Sequence, residues 1–403
     1  MTSAGLTAEQ AAPQVAGLSW CARFEDMVKI VVAMSGGVDS SVAAAMLKEE
    51  GYEVIGATMQ IWPSNELADE ADRFNGCCGL DAVSDAKRVA RKLGITHYVM
   101  NFRDIFAEKV ISNFCREYSR GRTPNPCIRC NEHIKFDALL KRARELNADF
   151  VATGHYIRIE RDEASGRYLL KKGVDRRKDQ SYVLYVMTQE QLRHALTPLG
   201  GLTKERVRQI ARELGLPVAD KAESQEICFI PDGDYTRFVK EYMPQAARPG
   251  PILDREGNIL GQHRGILFYT IGQRKGLGIS AGEPLYVVDI DWERNAVIVG
   301  TKGEVYRDEL LASDLNWIAI EPPQQSLELK AKIRYRHREA DAVISPLSTG
   351  DRAHVKFKQP QMAITPGQAI VFYDEDNVVG GGTIEQVAAP RAGEGGKELG
   401  RTK

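Results

Sequence analysis

Apolar and polar positions along this chain follow two rhythms that change at about Pro249. Before it, short β-branched runs alternate with stretches whose apolar residues recur three and four positions apart. Lys29 to Met34 is a run of the kind buried on both faces of a sheet, and Ser35-Gly36-Gly37 breaks it. Asp39 and Ser40 are placed to cap a following helix with Val42, Ala45 and Met46. Glu53 to Gln60, His97 to Asn101 and Phe150 to Thr153 read as further strands. Between them, Val83, Ala86, Val89, Ala90 and Leu93 mark one helix face, stopped by Gly94. Ile105, Phe106, Val110, Ile111, Phe114 and Tyr118 stripe a second helix, and Phe136, Leu139, Leu140, Ala143 and Leu146 a third. Strands alternating with helices predict an α/β domain, a doubly wound parallel sheet with ligands at the strands' C-terminal ends.

Tyr156 to Lys172 predicts a hairpin turning at Glu163–Gly166, and helices follow near 188–194 and 203–214. After Pro249 the runs are short and β-rich: Leu285–Ile290, Ala296–Val299, Leu327–Tyr335, Ala353–Phe357 and Ala369–Phe372, with Glu321-Pro-Pro-Gln as a connector. The predicted organisation is a loose extension (1–26), an α/β domain (27–235), a small β-rich middle domain (236–303), a C-terminal β-barrel (304–388) and a disordered tail (389–403). No internal repeat is present.

Composition narrows the class. Apolar content of 43% with 27% charged residues describes a soluble globular protein, and a net charge of −1 leaves a nucleic-acid partner open. No apolar run approaches ~20 residues, so no membrane span is predicted. Met1 to Phe24 lack a basic start followed by an apolar stretch, so no signal peptide is expected. Seven cysteines are an odd number for a disulfide framework, and their clustering points to chemistry in a reducing cytoplasm.

The strand, glycine turn and helix start at 29–41 form an anion site, with outward N–H groups and the hydroxyls of Ser35, Ser40 and Ser41. The Gly-Lys-[Ser/Thr] ending of a Walker loop is missing. Ser-Gly-Gly-x-Asp-Ser-Ser instead resembles the pyrophosphate loop of the N-type ATP pyrophosphatases, which split ATP between the α and β phosphates. A second stretch, Gly121 to Phe136, places Cys127 and Cys130 at a helix start, where the macrodipole and Arg122, Arg129 and Lys135 favour thiolates. Cys228 is the third relevant thiol. Cys-x-x-Cys by itself fits a redox pair, half a metal site or buried structural cysteines.

Ser35–Ser41, Gly121–Pro126 with Cys130, Ala152–Tyr156, Lys178–Tyr182, Ile227–Ile230, Gly272–Gly278, Arg334-Tyr335 and Thr365–Gln368 occur in this order. Together they resemble the bacterial tRNA-specific 2-thiouridylases, from about Met27 to about Val387. The resemblance implies that ATP sits on Ala33, Met34, Ser35, Gly36, Gly37, Val38, Asp39 and Ser40, with Met59 and Gly154 flanking the adenosine. It implies adenylation of the C2 oxygen of uridine 34 in tRNAs of the Lys, Glu and Gln type, followed by attack of sulfur on C2. Magnesium would offset phosphate charge, with Asp39 as a contact. Cys228 matches the persulfide-bearing cysteine and Cys130 the second catalytic cysteine. Asn125, Pro126, Lys178, Asp179, Gln180, Arg334 and Tyr335 match tRNA-binding positions. The basic residues Arg116, Arg120, Arg122, Arg129, Lys171, Lys172, Arg176 and Arg177 fit an RNA substrate, and Gly272–Gly278 reads as an RNA-contacting loop. A cysteine desulfurase or sulfur relay protein would supply the sulfur.

One position departs from the family. Many relatives have Asp after Asn-Pro, where this chain has Cys127. Cys127, Cys130 and Cys228 would hold three irons of a [4Fe–4S] cluster and leave the fourth open. Persulfide and disulfide cycling, or a zinc site completed by His133, are the alternatives. Cys77-Cys78 reads as an incidental loop pair, Cys21 and Cys115 as uninvolved, and His97, His194, His263 and His354 as structural or surface residues. Two other functions stay open. One is a different pyrophosphatase-loop ligase or amidotransferase; the other is a non-catalytic tRNA-binding sulfur carrier.

Overall fold

The computed structural model describes residues 27–61, 80–222, 227–230, 232–347 and 350–387. The predicted extension, the Cys77-Cys78 loop and the tail lie outside them. Five strands form the first sheet: β1 (Lys29–Ala33), β2 (Glu53–Gln60), β3 (Thr96–Asn101), β4 (Phe150–Ala152) and, beyond the hairpin β5 (Ile157–Arg161) and β6 (Tyr168–Lys172), β7 (Ala195–Leu196). They pair in the order β3–β2–β1–β4–β7, every pair parallel. The central strand feeds two cores. Ile30 and Val32 pack among residues of α1 (Val38–Glu49), α2 (Leu80–Leu93) and α6 (Lys204–Glu213). Val31 and Ala33 pack on the other face, among residues of the helical stretches 103–119, 126–145 and 235–242. Burying one such Val or Ile contributes roughly 1.5–3 kcal/mol. This two-sided burial is why the run carries no polar alternation.

Helix α3 runs through Arg103–Phe106, Ala107–Ile111 and Ser112–Ser119, and α4 through Pro126–Cys130, Asn131–Ala138 and Leu139–Glu145. In both, the middle piece is π-helical, a widening often found at functional sites that the apolar stripe does not reveal. Helix α5 (Gln189–Arg193) opens on a Thr188 capping box, and α7 spans Tyr235–Tyr242.

A four-stranded middle sheet comprises β8 (Gly250–Leu253), β9 (Ile259–His263), β10 (Tyr286–Asp291) and β11 (Ala296–Gly300), in the order β10–β11–β8–β9. The last six strands are β12 (Tyr306–Trp317), β13 (Leu327–Lys332), β14 (Ala340–Pro346), β15 (Ala353–Met362), β16 (Ala369–Asp374) and β17 (Asn377–Val387). They close into a barrel because β12 pairs with both β15 and β17. The hairpin β5–β6 joins that barrel sheet through Lys171 and Asn377, rather than belonging only to the α/β domain. Strands β7, β8, β9, β12, β14 and β17 escape the sequence pattern. In β17, Gly380-Gly381-Gly382 looks like a turn, yet a Cβ at each would lie 2.6 Å from Asn316 O, Tyr185 Cδ2 or Ser313 O. Close packing, and no bend, requires these glycines.

Candidate active site

The loop between β1 and α1 is held by its own hydroxyls. Ser40 Oγ accepts from Ser35 N–H at 3.1 Å and lies 3.3 Å from Ser35 Oγ, while Ser41 Oγ donates to Gly37 O at 2.7 Å. The helix N-cap is Gly37, and no side chain caps it, contrary to the role expected for Asp39 and Ser40. Ser40 is turned back onto the loop instead. The first-turn N–H groups of α1 therefore stay available for an anion. Gly36 has φ +69°, and a Cβ there would lie 2.2 Å from Ala82 O. Gly154, just past β4, rests on the same helix end, its virtual Cβ 2.7 Å from Asp39 C and Ser40 N. Met59, near the end of β2, is paired with Met100 of β3.

Three further residues complete this site, two of them lysines outside every motif. Asp39 Oδ1 accepts from Lys204 Nζ and from Tyr156 OH, each at 2.7 Å. Lys221 Nζ donates to Gly36 O at 3.1 Å and pairs with Asp85 at 2.5 Å. Tyr156 belongs to the Ala152–Tyr156 motif, so its position was accessible; nothing local marks either lysine.

His155 is buried beside the loop. Its Nδ1 lies 2.8 Å from Thr153 Oγ1, and its Nε2 lies 3.5 Å from Lys135 Nζ. Desolvation, then the Lys135 ammonium, holds His155 well below the usual 6.5. Below that pH the unfolded chain binds a proton that the native site refuses, so stability falls on acidification and is unaffected above it. His97, His263 and His337 are shifted in the same direction. Between about pH 7.5 and 5.5, the thermal midpoint of His155→Gln is expected to fall less than that of the wild type. Equal falls would remove His155 from the account.

The thiols are shared between two neighbourhoods. Cys127 N–H donates to Asn125 Oδ1, the side-chain cap of α4, with Pro126 as the first helical residue. Cys130 and Cys228 are half-buried and pack against one apolar cluster beneath the sheet, which contains Phe106, Phe114 and Phe229. Cys127 is exposed. Burial, then Asp179, raises the Tyr335 phenol. Among the described residues no three His, Cys, Asp or Glu side chains are disposed to hold a metal ion. The arginines expected to favour thiolates are committed elsewhere. Arg122 binds Glu117 and the carbonyls of Ile384 and Glu385, and Arg129 binds Glu132.

The barrel pins the Cys127 loop. Thr123 N–H donates to Pro366 O, Gln368 Nε2 donates to Thr123 O, and a Cβ on Gly367 would lie 2.9 Å from Thr123 N. The Tyr182 and Tyr335 rings lie 6.2 Å apart. Asp179 and Gln180 are turned inward. Asp179 accepts from Gly173 N, Ser181 N and Ser181 Oγ, and Gln180 Oε1 accepts from Tyr156 N. Arg334 donates to Met362 O. The basic run reads as RNA-facing in sequence, but Lys171, Lys172, Arg176 and Arg177 pair with Glu160, Glu339, Asp376 and Glu205. Carboxylates from later in the chain, or across the hairpin, neutralise most of it. In the middle domain, Arg274 and Lys275 of the glycine-rich loop are exposed.

Residues 28–232 match the family model described as the tRNA methyl transferase HUP domain. Residues 236–301 match the tRNA methyl transferase PRC-barrel domain, and 307–384 the aminomethyltransferase beta-barrel domain. The tRNA-specific 2-thiouridylase MnmA 2 of Caldanaerobacter subterraneus subsp. tengcongensis is 60% identical over 89% of this chain and 98% of its own. That of Acetivibrio thermocellus, MnmA, is 57% identical over 89% of this chain and 99% of its own. This chain belongs to the MnmA family. The MnmA of Heliobacterium modesticaldum is 59% identical over 88% of this chain and 92% of its own. The MnmA architecture is thus present as the parallel α/β domain, the four-stranded middle domain and the closed C-terminal barrel described above. No helix among the described residues is long and apolar enough to cross a membrane.

Proposed function

We propose that this chain is an ATP-dependent tRNA sulfurtransferase that converts uridine 34 to 2-thiouridine. The observation that carries the reading is the anion-receptive end of α1, walled by Gly154, in the same domain as Cys130 and Cys228 on one core. ATP occupies Ala33–Ser40, with Met59 and Gly154 beside the adenosine. The uridine C2 oxygen attacks the α-phosphate, a C–O–P linkage forms, and pyrophosphate leaves. Magnesium would offset phosphate charge.

A sulfur-donor protein, a cysteine desulfurase or a relay protein, loads Cys228 as a persulfide. The outer sulfur attacks C2, and the C2–O bond breaks to release AMP. The Cys130 thiolate then attacks Cys228 Sγ. The S–S bond breaks with its electron pair on the outer sulfur, leaving 2-thiouridine and a Cys130–Cys228 disulfide that a thiol reductant reopens. Among the described residues no three His, Cys, Asp or Glu side chains are disposed to hold a metal ion, so the three thiols do not fit a [4Fe–4S] ligand set as arranged, and no step passes through one. A zinc site through His133 meets the same objection. Asn125 and Pro126 shape the pocket for the lifted base, and Lys178–Gln180 with Arg334-Tyr335 border the tRNA.

Methyl transfer, which the domain models' names favour, leaves the pyrophosphate loop and the paired thiols without a task. The deciding assay is tRNA-dependent formation of AMP and pyrophosphate with 2-thiouridine detected by mass. Its absence with every uridine-34 tRNA under reducing, anaerobic conditions ends this reading. Protein purified anaerobically is expected to be active without iron or acid-labile sulfide; activity that tracks bound iron would restore the cluster.

A further inference from the structure

We propose that Lys204 is a positioning residue for the phosphate site, which neutralises Asp39 so that the loop accepts a nucleoside triphosphate. This deepens the ATP reading and rests on it. A carboxylate in the first turn of a helix suits the macrodipole, but beside a triphosphate it repels the ligand that the helix end attracts. The fold answers that repulsion with an ammonium from 165 residues away, 2.7 Å from Asp39 Oδ1. The Lys204 side chain is 8% exposed, against 33% for Asp39. A lysine so buried needs a partner, and among the described residues Asp39 is a carboxylate that it meets.

Its placement is built from several sides. Lys204 is the first residue of α6, whose Thr203 cap accepts from Arg206 N–H, and Lys204 N–H donates to Asp175 Oδ2 at 3.1 Å. Helix α6 shares the apolar cluster of α1 through Val207 and Ala211, which keeps the ammonium over the loop. The Tyr156 ring lies 5.9 Å from Nζ, and its hydroxyl donates to the same Asp39 oxygen. The two bonds to Oδ1 hold the carboxylate in one orientation. The N–H groups of α1 then act on the phosphates without an opposing side-chain charge.

The test is equilibrium ATP binding, without tRNA or turnover, to the full chain carrying Lys204→Met, Asp39→Asn or both. Lys204→Met is expected to weaken ATP binding about tenfold or more, because it leaves Asp39 uncompensated. In the Asp39→Asn background the same change is expected to matter less than about threefold, since the charge to be offset is gone. Lys204→Arg should stay within about threefold of wild type. An equal loss in both backgrounds, which a direct phosphate contact or a merely structural role would give, overturns the proposal, and so does no loss in either. Should Lys204→Met not fold, Lys204→Gln keeps a hydrogen bond, drops the charge and makes the same comparison. A wild type that binds no ATP defeats the ATP reading itself, whereas ATP binding indifferent to Lys204 defeats only this inference.

Discussion

Replacing Cys228 or Cys130 with alanine is expected to cut 2-thiouridine formation by about 10³-fold or more, with tRNA-dependent pyrophosphate release surviving for a single turnover. The split follows from the architecture. The phosphate loop lies at the strand ends and is held by Ser35, Ser40, Lys204 and Lys221, none of which involves a thiol. Both cysteines are half-buried at the edge of an aromatic core, so alanine removes a sulfur without opening a large cavity. Cys115 supplies the control. It is fully buried, and burial pushes its thiol up to about 12, so it should resist alkylation at neutral pH, and its alanine variant should stay active. Full thiolation by either Cys130→Ala or Cys228→Ala would take that residue out of the sulfur path.

The second large effect separates two adjacent glycines. Gly36→Ala forces a side chain into φ +69° and a Cβ to 2.2 Å from Ala82 O, a backbone atom of α2. The left-handed conformation costs about 1 kcal/mol, and the clash raises the loss to roughly 3 kcal/mol or more, with ATP binding gone. Gly37 has φ −98°, and the nearest atom to its virtual Cβ is Ser35 Oγ at 3.5 Å, an ordinary contact. Gly37→Ala should therefore unfold within about 1 °C of wild type while binding ATP about tenfold more weakly, because a phosphate must approach the bare backbone there. Wild-type affinity in Gly37→Ala would mean that the phosphates lie elsewhere.

Much of this architecture was legible in the chain. The strand Glu53–Gln60 was read with its observed bounds, and the hairpin between 156 and 172, the Gly94 stop and the parallel α/β sheet follow from periodicity and turn residues. What failed locally failed for identifiable reasons. Strand β12 mixes charged and apolar residues because one face meets solvent and the other the barrel, and β17 hides behind glycines required by close packing. Asp39 and Ser40 resemble caps, but the loop turns Ser40 onto Ser35 and fold-level packing gives Asp39 to Lys204. The basic run before Lys178 looked available because Glu339, Asp376 and Glu205 lie far along the chain, whereas Arg122 and Arg129 meet Glu117 and Glu132 only a few residues away.

The sequence by itself determined the α/β class, the phosphate loop and the family, because short-range periodicity and a run of ordered motifs are local properties. It also identified the three thiols. Tertiary structure alone decided that Cys130 and Cys228 share a core that Cys127 does not, and that the barrel holds the Cys127 loop through Gly367 and Gln368. It alone brought a lysine from α6 onto Asp39. Such pairings depend on which apolar faces pack together across more than a hundred residues, and spacing along one segment carries no record of that choice.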